Sequence, residues 1–354
     1  MRYKVALIPG DGIGPELTEA TMTVLRAVQR KLGLDLEFIK LEAGDACYAR
    51  RGIALPEETI EGIRRSHVCL KGPVGETAAD VIVKLRLMLD LYANIRPIKS
   101  YPNTLSLRDD IDLVIVRENT EDLYKGFEFK IDDDTAIALR VITRRGCERI
   151  ARRAFEMALR RKKKVTAVHK SNVLKITCGL FAEVCRKIAK EYPSVSYEEQ
   201  YVDAMAMRLI KEPQNFDVIV TTNIFGDILS DEAAQLVGGL GMAPGGNIGN
   251  DYAIFEPIHG SAPTRVGKRT ANPCSMILAA KMMFDWLGEK YNDQLCLKAA
   301  WLIDSGIISA LKKNLSVPDL GGNLRTDEMA EAISNEIFDY HLSEAHGAGL
   351  HKNL

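Results

Sequence analysis

The sequence is poor in the features that mark several classes of protein. Its seven cysteines are scattered among 354 residues, are odd in number and form no Cys-x-x-Cys pair, which argues against a disulfide framework or a cysteine-ligated zinc site. Neither sign of charge is in excess, because 47 basic and 48 acidic residues leave a net charge of -1. This balance argues against bulk attraction to nucleic acid or to an anionic membrane.

Long hydrophobic runs are also missing. No uninterrupted apolar run approaches the roughly 20 residues that a membrane span needs, and the chain passes from Met1 through a polar start into a short apolar strand. We therefore expect a cytoplasmic protein. Hydrophobic residues make up 46% of the chain and charged residues 27%, which is typical of globular proteins, and the length predicts two domains.

Short apolar runs alternate along the chain with amphipathic helical stretches, which predicts an α/β fold with a largely parallel sheet. Residues 127–142 depart from this alternation, because two apolar runs there flank an Asp-Asp-Asp turn. They predict a β-hairpin arm with a solvated turn. The predicted strands include residues 5–8, 36–39, 111–116, 165–168 and 216–220.

A glycine-rich segment, residues 9–16, follows the first predicted strand. Its glycines allow close approach of another backbone, and Pro15 suits the first turn of a helix. Such a helix start can hold a phosphate or the edge of a cofactor. The spacing is G-x-G-x-G and differs from the dinucleotide fingerprint, so an ordinary strand-to-helix turn is the alternative.

Three arginines are candidates for binding an anionic substrate, since a guanidinium group can bind a carboxylate through two parallel hydrogen bonds. Arg117 directly follows the apolar residues 113–116, at the carboxyl end of a predicted parallel strand, where open α/β sheets bind ligands. For Arg86 and Arg96 a surface role is the alternative, with Arg86 paired to Asp90 one helical turn away.

Asp227 and Asp231 are spaced i,i+4 and therefore share one helical face, where like charges repel. An oxygen-ligated Mg²⁺ or Mn²⁺ would remove that repulsion, with Asp203 as a candidate third ligand. The alternative is an acidic first turn that complements the helix dipole.

Tyr124 and Lys170 are candidate acid–base residues because each follows an apolar strand. His169 is more typical of a packed or capping histidine. The basic run at residues 160–164 closes a predicted helix, and we interpret it as a solvated face because cations complement a helix C-terminus.

These segments together resemble the β-decarboxylating dehydrogenases of the isocitrate and isopropylmalate dehydrogenase family. The resemblance covers residues 4 to about 340 and looks closest to archaeal 3-isopropylmalate dehydrogenases. It implies a fold that is not the standard Rossmann fold and a dimer, or a tetramer built from dimers, with shared active sites. It further implies a first domain of residues 1–100 and 250–354, an inserted second domain of residues 101–249, and a dimerisation arm at about 126–143. The ordered motifs are residues 10–16, 90–97, 117–121, 169–172, 226–231 and 259–263.

The resemblance also implies roles for individual residues. Arg86, Arg96 and Arg117 would hold the substrate's carboxylates, and Tyr124 would protonate the enol carbon after carbon dioxide leaves. Lys170 of the partner subunit would be the base that removes the hydroxyl proton, and Asn172 would come from the partner as well. The divalent metal would be held by Asp227, Asp231 and the partner's Asp203.

For the cofactor, the resemblance implies NAD and leaves NADP open. Members that use NAD usually carry an acidic residue after His-Gly-Ser-Ala-Pro, where this chain has Thr264 and Arg265, and an arginine there suits a 2′-phosphate. Residues 318–322 instead resemble the NAD-linked form of the adenine loop. The positions that match the dinucleotide site are Gly10, Ile13, Gly72, Pro73, Val74, Gly75, Glu256, His259, Gly260, Ser261, Ala262, Thr264, Asn272 and Asp319.

The substrate's third substituent would be read by the helix just before Arg86. Isocitrate enzymes of this family usually place serine and asparagine where Asp80 and Ile82 stand, and homoisocitrate enzymes can place arginine at the Val83 position. Ile82 and Val83 offer apolar surface instead, which suits an isopropyl group and leaves a third carboxylate poorly solvated. We expect 3-isopropylmalate to be the substrate, as in leucine biosynthesis.

Two alternatives remain open from the sequence. If Ile82 and Val83 only pack in the core, isocitrate or homoisocitrate becomes the substrate. A regulatory subunit without catalysis is a less favoured reading, because such subunits tend to lose catalytic residues that this chain retains.

Overall fold

The protein is described from a computed structural model, which describes residues 1–78 and 80–340. The strands are β1 (Arg2–Ile8), β2 (Asp35–Lys40), β3 (Val68–Lys71), β4 (Ala93–Lys99), β5 (Asp112–Glu118), β6 (Glu128–Lys130), β7 (Ala136–Ala138), β8 (Lys164–His169), β9 (Ser196–Tyr201), β10 (Val218–Thr221), β11 (Pro244–Ile248) and β12 (Ala253–Pro257). The helices are α1 (Gly14–Leu32), α2 (Asp45–Arg51), α3 (Glu57–Arg64), α4 (Asp80–Met88), α5 (Arg144–Leu159), α6 (Thr177–Ala189), α7 (Val202–Lys211), α8 (Asn223–Leu236), α9 (Cys274–Tyr291), α10 (Gln294–Lys312) and α11 (Thr326–Asp339).

One ten-stranded sheet runs through the molecule in the order β2-β1-β3-β12-β11-β4-β5-β10-β8-β9. Its two flanks are parallel, as the alternation of strands and helices predicted. The centre is antiparallel, since β11 pairs in that sense with both β12 and β4, and β4 pairs in that sense with β5. The α/β prediction is confirmed, and the sheet is mixed, unlike the fully parallel sheet of a doubly wound dinucleotide fold.

Both faces of the sheet are covered by helices, and the alternation of side chains along the strands shows this directly. In β1, Val5 and Leu7 join the apolar cluster formed with α1 and α9 to α11, whereas Ala6 and Ile8 join the cluster formed with α3 and α4. In β5, Leu113 and Ile115 likewise face α7 and α8. Because side chains two residues apart share a face, Arg117 lies on the α8 side of the sheet.

The hairpin arm predicted around residues 126–143 is present, because β6 and β7 pair antiparallel as a separate two-stranded ribbon. Most of its side chains are exposed. The division into domains at residues 101 and 249 stays a prediction. β4 and β5 lie on opposite sides of the first predicted boundary and pair with each other along their full length.

By length and composition alone, α10 is apolar enough to cross a membrane, but such a test is also passed by core helices. Here α10 packs between α9 and α11, and Ala299, Ile303 and Ala310 on its inner side belong to the main apolar cluster. Its apolar character is therefore explained by packing within the fold.

The basic run after α5 is only partly the solvated face that its composition predicted. Arg161 is largely buried and bridges two carboxylates, donating from Nε to Asp217 at 2.8 Å and from Nη2 to Asp112 at 2.6 Å. Asp217 is fully buried beside β10. The neighbouring Arg160 is exposed and pairs with Glu289 at the surface.

We predict that Arg161→Met lowers the free energy of unfolding by about 3 kcal/mol, because it leaves the buried Asp217 carboxylate without its cation. Arg160→Met is the matched control one residue away, and its exposed ion pair is worth less than about 1 kcal/mol. Thermal and denaturant unfolding of the two variants measures the difference. Equal losses in both would contradict a structural role for the Arg161 bridge.

Candidate active site

Polar residues form a row across the antiparallel centre of the sheet. Asn247 of β11 is opposite Asn94 of β4, which is opposite Arg117 of β5, and Arg117 is in register with Thr221 of β10. Each of these four residues is buried. A polar row inside a sheet that is apolar elsewhere marks a site, because buried polar groups are retained only where they find partners or ligands.

Arg117 is the most enclosed charge in this row, with 1% of its side chain exposed. Its Nε donates to Asn223 Oδ1 at 2.8 Å, and its Nη1 donates to Asp227 Oδ1. Its Nη2 is buried and has no partner among the described residues. A buried guanidinium group with a free N–H is prepared to receive an oxygen anion.

Arg86 and Arg96 are also buried beside it, so three guanidinium charges lie close together. Burial, together with the charge of Arg117, lowers the pKa of both Arg86 and Arg96 to about 10. Both remain cationic at neutral pH, and their mutual repulsion favours an anion between them. The surface role considered for them in the sequence is wrong, and Asp90 pairs with Arg149 at 2.7 Å.

Asp227 and Asp231 lie one turn apart on α8, on the side facing these arginines. Asp227 Oδ2 accepts a hydrogen bond from the Tyr124 hydroxyl at 2.6 Å, and Asp231 Oδ1 lies 3.7 Å from Arg96 Nη1. α8 begins at Asn223, so the alternative of an acidic first turn does not apply. The fold therefore brings together three arginines, two aspartates and a tyrosine from positions between 86 and 231 of the sequence.

Gly226 makes this approach possible. A Cβ atom at that position would lie 2.6 Å from Arg117 Cγ and 2.7 Å from its Cβ, closer than any relaxed contact. Glycine just before Asp227 therefore lets α8 lie directly against the Arg117 side chain.

The carboxylate pair fits a hard divalent cation. Burial acts to raise the pKa of Asp227, but the charge of Arg117 and the hydrogen bond from Tyr124 outweigh it, and the net shift is downward. Burial and the nearby Asp227 charge raise the pKa of Asp231, which a divalent cation would reverse. Among the described residues no third acidic, histidine or cysteine side chain joins them. Mg²⁺ commonly uses one or two protein carboxylates and completes its shell with substrate oxygens and water.

Lys170 and Asp203, predicted to act from the partner subunit, form a separate group. Lys170 Nζ lies 2.6 Å from Asp203 Oδ1, and this ion pair lowers the pKa of the exposed Asp203. Asn172 is exposed nearby, as is Ile176, which is 86% exposed. His169 is buried and its Nε2 lies 3.0 Å from Glu199, which agrees with a packed histidine.

Three loops meet where the cofactor was predicted to bind. The amide of Asp11 donates to the Pro73 carbonyl at 2.8 Å, and the amide of Ile13 donates to the Ser261 carbonyl at 2.9 Å. Gly10 has a φ of 75°, and a Cβ there would lie 1.9 Å from Pro73 O. Both amides are therefore used within the protein, and backbone packing requires the glycine, so dinucleotide binding at these loops stays a prediction. The loops bring together Gly10, Ile13, Gly72, Pro73, Val74, Gly75, Gly260, Ser261 and Ala262.

Two of the remaining cofactor candidates, Asn272 and Asp319, lie close together. Both side chains contact Gly241. A Cβ atom added at Gly241 would lie 2.9 Å from Asn272 Nδ2 and 3.0 Å from Asp319 Oδ2. Arg265 Nη1 donates to Asp319 Oδ1 at 3.1 Å, while Thr264 beside it is exposed. Burial lowers the pKa of His259, so its ring is neutral at neutral pH.

Glu256 joins the two regions. It is buried, its Oε2 lies 2.7 Å from Lys71 Nζ, and its Oε1 lies 3.8 Å from Arg86 Nη2. Burial acts to raise its pKa, but the charges of Lys71 and Arg86 outweigh burial and lower it. Glu256 is thus a buried carboxylate between the three arginines and the loop of residues 72–75.

Sequence reasoning missed the polar residues that hold the site together. Asn94, Asn223, Asn247 and Lys71 contact the predicted residues directly. Neither Asn94 nor Asn247 falls inside a strand that the sequence predicted, so the depletion of asparagine in strands gave no signal for them.

Ile82 and Val83 lie one turn before Arg86 on α4. Both are half-buried, and Ile82 packs against the apolar cluster of α3 and α4. Core packing therefore accounts for part of the Ile82 surface, and the half-exposed remainder is available to a ligand.

Known proteins resemble this chain over nearly its whole length. The 3-isopropylmalate/3-methylmalate dehydrogenase of Methanocaldococcus jannaschii is 53% identical, over 95% of this chain and 99% of that protein. The homoisocitrate dehydrogenase of the same organism is 47% identical, over 94% of this chain and 97% of that protein. The crystal structure of isocitrate dehydrogenase from Methylococcus capsulatus superposes with a TM-score of 0.88 at 44% identity, over 95% of this chain and 99% of that one. The family model for isocitrate/isopropylmalate dehydrogenases matches residues 4–333, and the chain therefore belongs to this family of decarboxylating dehydrogenases.

Proposed function

We propose that this protein catalyses the NAD-dependent oxidative decarboxylation of 3-isopropylmalate to 4-methyl-2-oxopentanoate, a step of leucine biosynthesis. The observation that carries the proposal is the meeting of three buried arginines with Asp227 and Asp231. The apolar pair Ile82 and Val83 lies one helical turn before Arg86, one of these arginines, on α4. A cytoplasmic homodimer, or a tetramer of such dimers, with Mg²⁺ or Mn²⁺ completes the proposal.

In this account Arg86, Arg96 and Arg117 bind the two carboxylates of the malate backbone. The buried, unpartnered Nη2 of Arg117 gives one of them a charged hydrogen bond that water cannot easily replace. Fixing both carboxylates orients the C2 hydrogen for transfer and holds the C3 carboxylate in position for its loss.

Asp227 and Asp231 would hold the divalent metal, with the partner's Asp203 as a further ligand. When bound, the metal would supply Lewis-acid polarisation of the substrate's 2-oxygen, and NAD would supply the hydride acceptor. Lys170 of the partner subunit would take the hydroxyl proton. In a single chain Lys170 is paired with Asp203, which keeps both polar groups in place at the exposed edge.

Tyr124 is proposed to donate the proton that replaces carbon dioxide. Burial raises the pKa of its hydroxyl, although the charge of Arg117 opposes this shift. The net upward shift keeps the hydroxyl protonated at neutral pH, which a proton donor requires. The guanidinium of Arg117 lies 5.0 Å above the ring and restricts its position.

We predict that the purified chain with Mg²⁺ has its highest kcat/KM for 3-isopropylmalate, above isocitrate, homoisocitrate and D-malate.

We further predict that Ile82→Asn shifts the ratio of kcat/KM for isocitrate to kcat/KM for 3-isopropylmalate toward isocitrate by about tenfold or more, because it exchanges apolar surface for a hydrogen-bonding group. Leu87→Asn, on the exposed face of the same helix, is the control. A wild-type preference for a tricarboxylic acid would reject the substrate assignment, and no turnover with any of the four acids would favour the regulatory-subunit alternative.

We predict that Tyr124→Phe lowers kcat by roughly 10²–10⁴-fold with little change in KM, since it removes a proton donor and keeps the ring. Steady-state kinetics with 3-isopropylmalate measures this. Tyr48→Phe, at an exposed position on α2, should be unchanged. A Tyr124→Phe enzyme with wild-type kcat would assign the proton to another group.

For the cofactor we propose NAD, because Asp319 already neutralises the arginine that a 2′-phosphate would need. Asp319→Asn should raise kcat/KM for NADP relative to NAD by about fivefold, in line with the roughly 1 kcal/mol of an exposed ion pair. Adding Arg265→Ala should cancel that gain. An enzyme that prefers NADP before any substitution would overturn the NAD assignment.

A further inference from the structure

Asn247 is the fourth of the five residues of β11 and is completely buried. Its strand is otherwise rich in glycine, and Phe255 packs where a side chain at Gly246 would stand. An asparagine buried in a central strand loses its hydration fully, so it is retained only if its amide and its carbonyl are both satisfied.

The carbonyl oxygen of Asn247 accepts three hydrogen bonds on the substrate side. Arg86 Nε donates at 2.9 Å, Asn94 Nδ2 at 2.8 Å and Asn119 Nδ2 at 3.0 Å. Arg86 Nη2, which shares an edge of the guanidinium group with Nε, lies 3.8 Å from Glu256 Oε1. The Asn247 carbonyl thereby fixes the orientation of the Arg86 guanidinium plane.

The same carbonyl fixes Arg96 indirectly. Asn94 must present its amide nitrogen to Asn247, so its oxygen is turned toward Arg96 and accepts from Nε at 2.6 Å. A flipped Asn94 amide would set two oxygens against each other and leave Arg96 Nε unpaired. Two of the three substrate arginines therefore depend on one buried acceptor.

The amide nitrogen of Asn247 points the other way, toward the cofactor side. It donates to Glu256 Oε1 at 2.8 Å, while Glu256 Oε2 pairs with Lys71 Nζ at 2.7 Å. Lys71 Nζ in turn donates to the carbonyl of Gly72, the first residue of the expected cofactor loop. A continuous polar chain thus runs from Arg86 through Asn247 and Glu256 to that loop.

We infer that Asn247 is a positioning residue that orients Arg86 and Asn94 for the hydroxy acid and couples the occupancy of that pocket to the cofactor loop. The inference rests on the proposed function for the identity of the two ligands. An asparagine meets both demands at once, because it accepts from cations on one side and donates to a carboxylate on the other. Coupling of this kind is reciprocal, so the hydroxy acid should tighten dinucleotide binding by the factor by which the dinucleotide tightens the acid.

The test compares variants of the full-length protein by NADH fluorescence titration with and without 3-isopropylmalate in Mg²⁺, a pair of ligands that cannot react with each other. Asn247→Asp keeps the shape and the acceptor but sets a carboxylate against Glu256. We expect it to raise KM for the hydroxy acid about tenfold or more and to abolish the effect of the acid on NADH affinity. Asn250→Asp makes the same chemical change at an exposed position in the β11–β12 turn and should behave as wild type.

A second substitution separates positioning from general damage. Adding Glu256→Gln to Asn247→Asp restores the hydrogen bond between positions 247 and 256 with its direction reversed. The double variant should therefore recover most of the effect of the hydroxy acid on NADH affinity. If Asn247→Asp fails to fold, Asn247→Ser, whose hydroxyl keeps one donor and one acceptor, carries the same two readouts.

Three outcomes overturn the inference. They are a wild-type NADH affinity that does not change when the hydroxy acid is added, an Asn247→Asp enzyme with wild-type KM and coupling, and a double variant that recovers none of the lost coupling. If the wild-type chain has its highest kcat/KM for another of the four acids, the proposed function fails, and the same titration with that acid still tests Asn247.

Discussion

Three guanidinium groups buried at the antiparallel centre of one sheet are the constraint on which the rest of the site depends. Burying a charge costs several kcal/mol unless it is paired and hydrogen-bonded, and three like charges together raise that cost. The fold meets it with Asp227, Asp231 and Glu256 as counter-charges and with asparagine side chains that accept from the Nε atoms. The compensation is incomplete at Arg117 Nη2, which is where an anionic ligand would contribute.

The antiparallel centre of the sheet explains why these groups meet at all. β4 and β11 run against their neighbours, so residues separated by more than 100 positions in the sequence fall opposite one another in the row from Asn247 to Arg117. The parallel flanks contribute their carboxyl ends: β1 leads into the Gly10 loop, and β10 leads into α8. A fully parallel sheet would place the same motifs at one edge without the central polar row.

The sequence predicted the elements of this arrangement better than their connections. The alternation of apolar runs predicted the α/β class, and Arg117, predicted to follow a strand, is the second-last residue of β5. Nothing local could reveal that Asn247 accepts from Arg86, 161 positions away, since that contact depends on strand order and register. The solvated reading of Arg161 failed for the same reason, because its partners are distant in sequence, with Asp112 in β5 and Asp217 directly before β10. Relatives of similar identity carry different names, since a 3-isopropylmalate/3-methylmalate dehydrogenase is 53% identical and a homoisocitrate dehydrogenase 47% identical, so overall identity does not fix the substrate.

The central claim is that the arginine cluster is a receptor for a dicarboxylate whose third substituent is apolar. Thermal unfolding of the purified chain with saturating 3-isopropylmalate and Mg²⁺, compared with isocitrate and Mg²⁺ at the same concentration, tests it most directly. The account predicts that 3-isopropylmalate raises Tm by about 3 °C or more, as expected for a ligand at roughly 100 times its Kd, and that isocitrate raises it less. An unchanged Tm with 3-isopropylmalate, or a larger rise with isocitrate, would contradict the account.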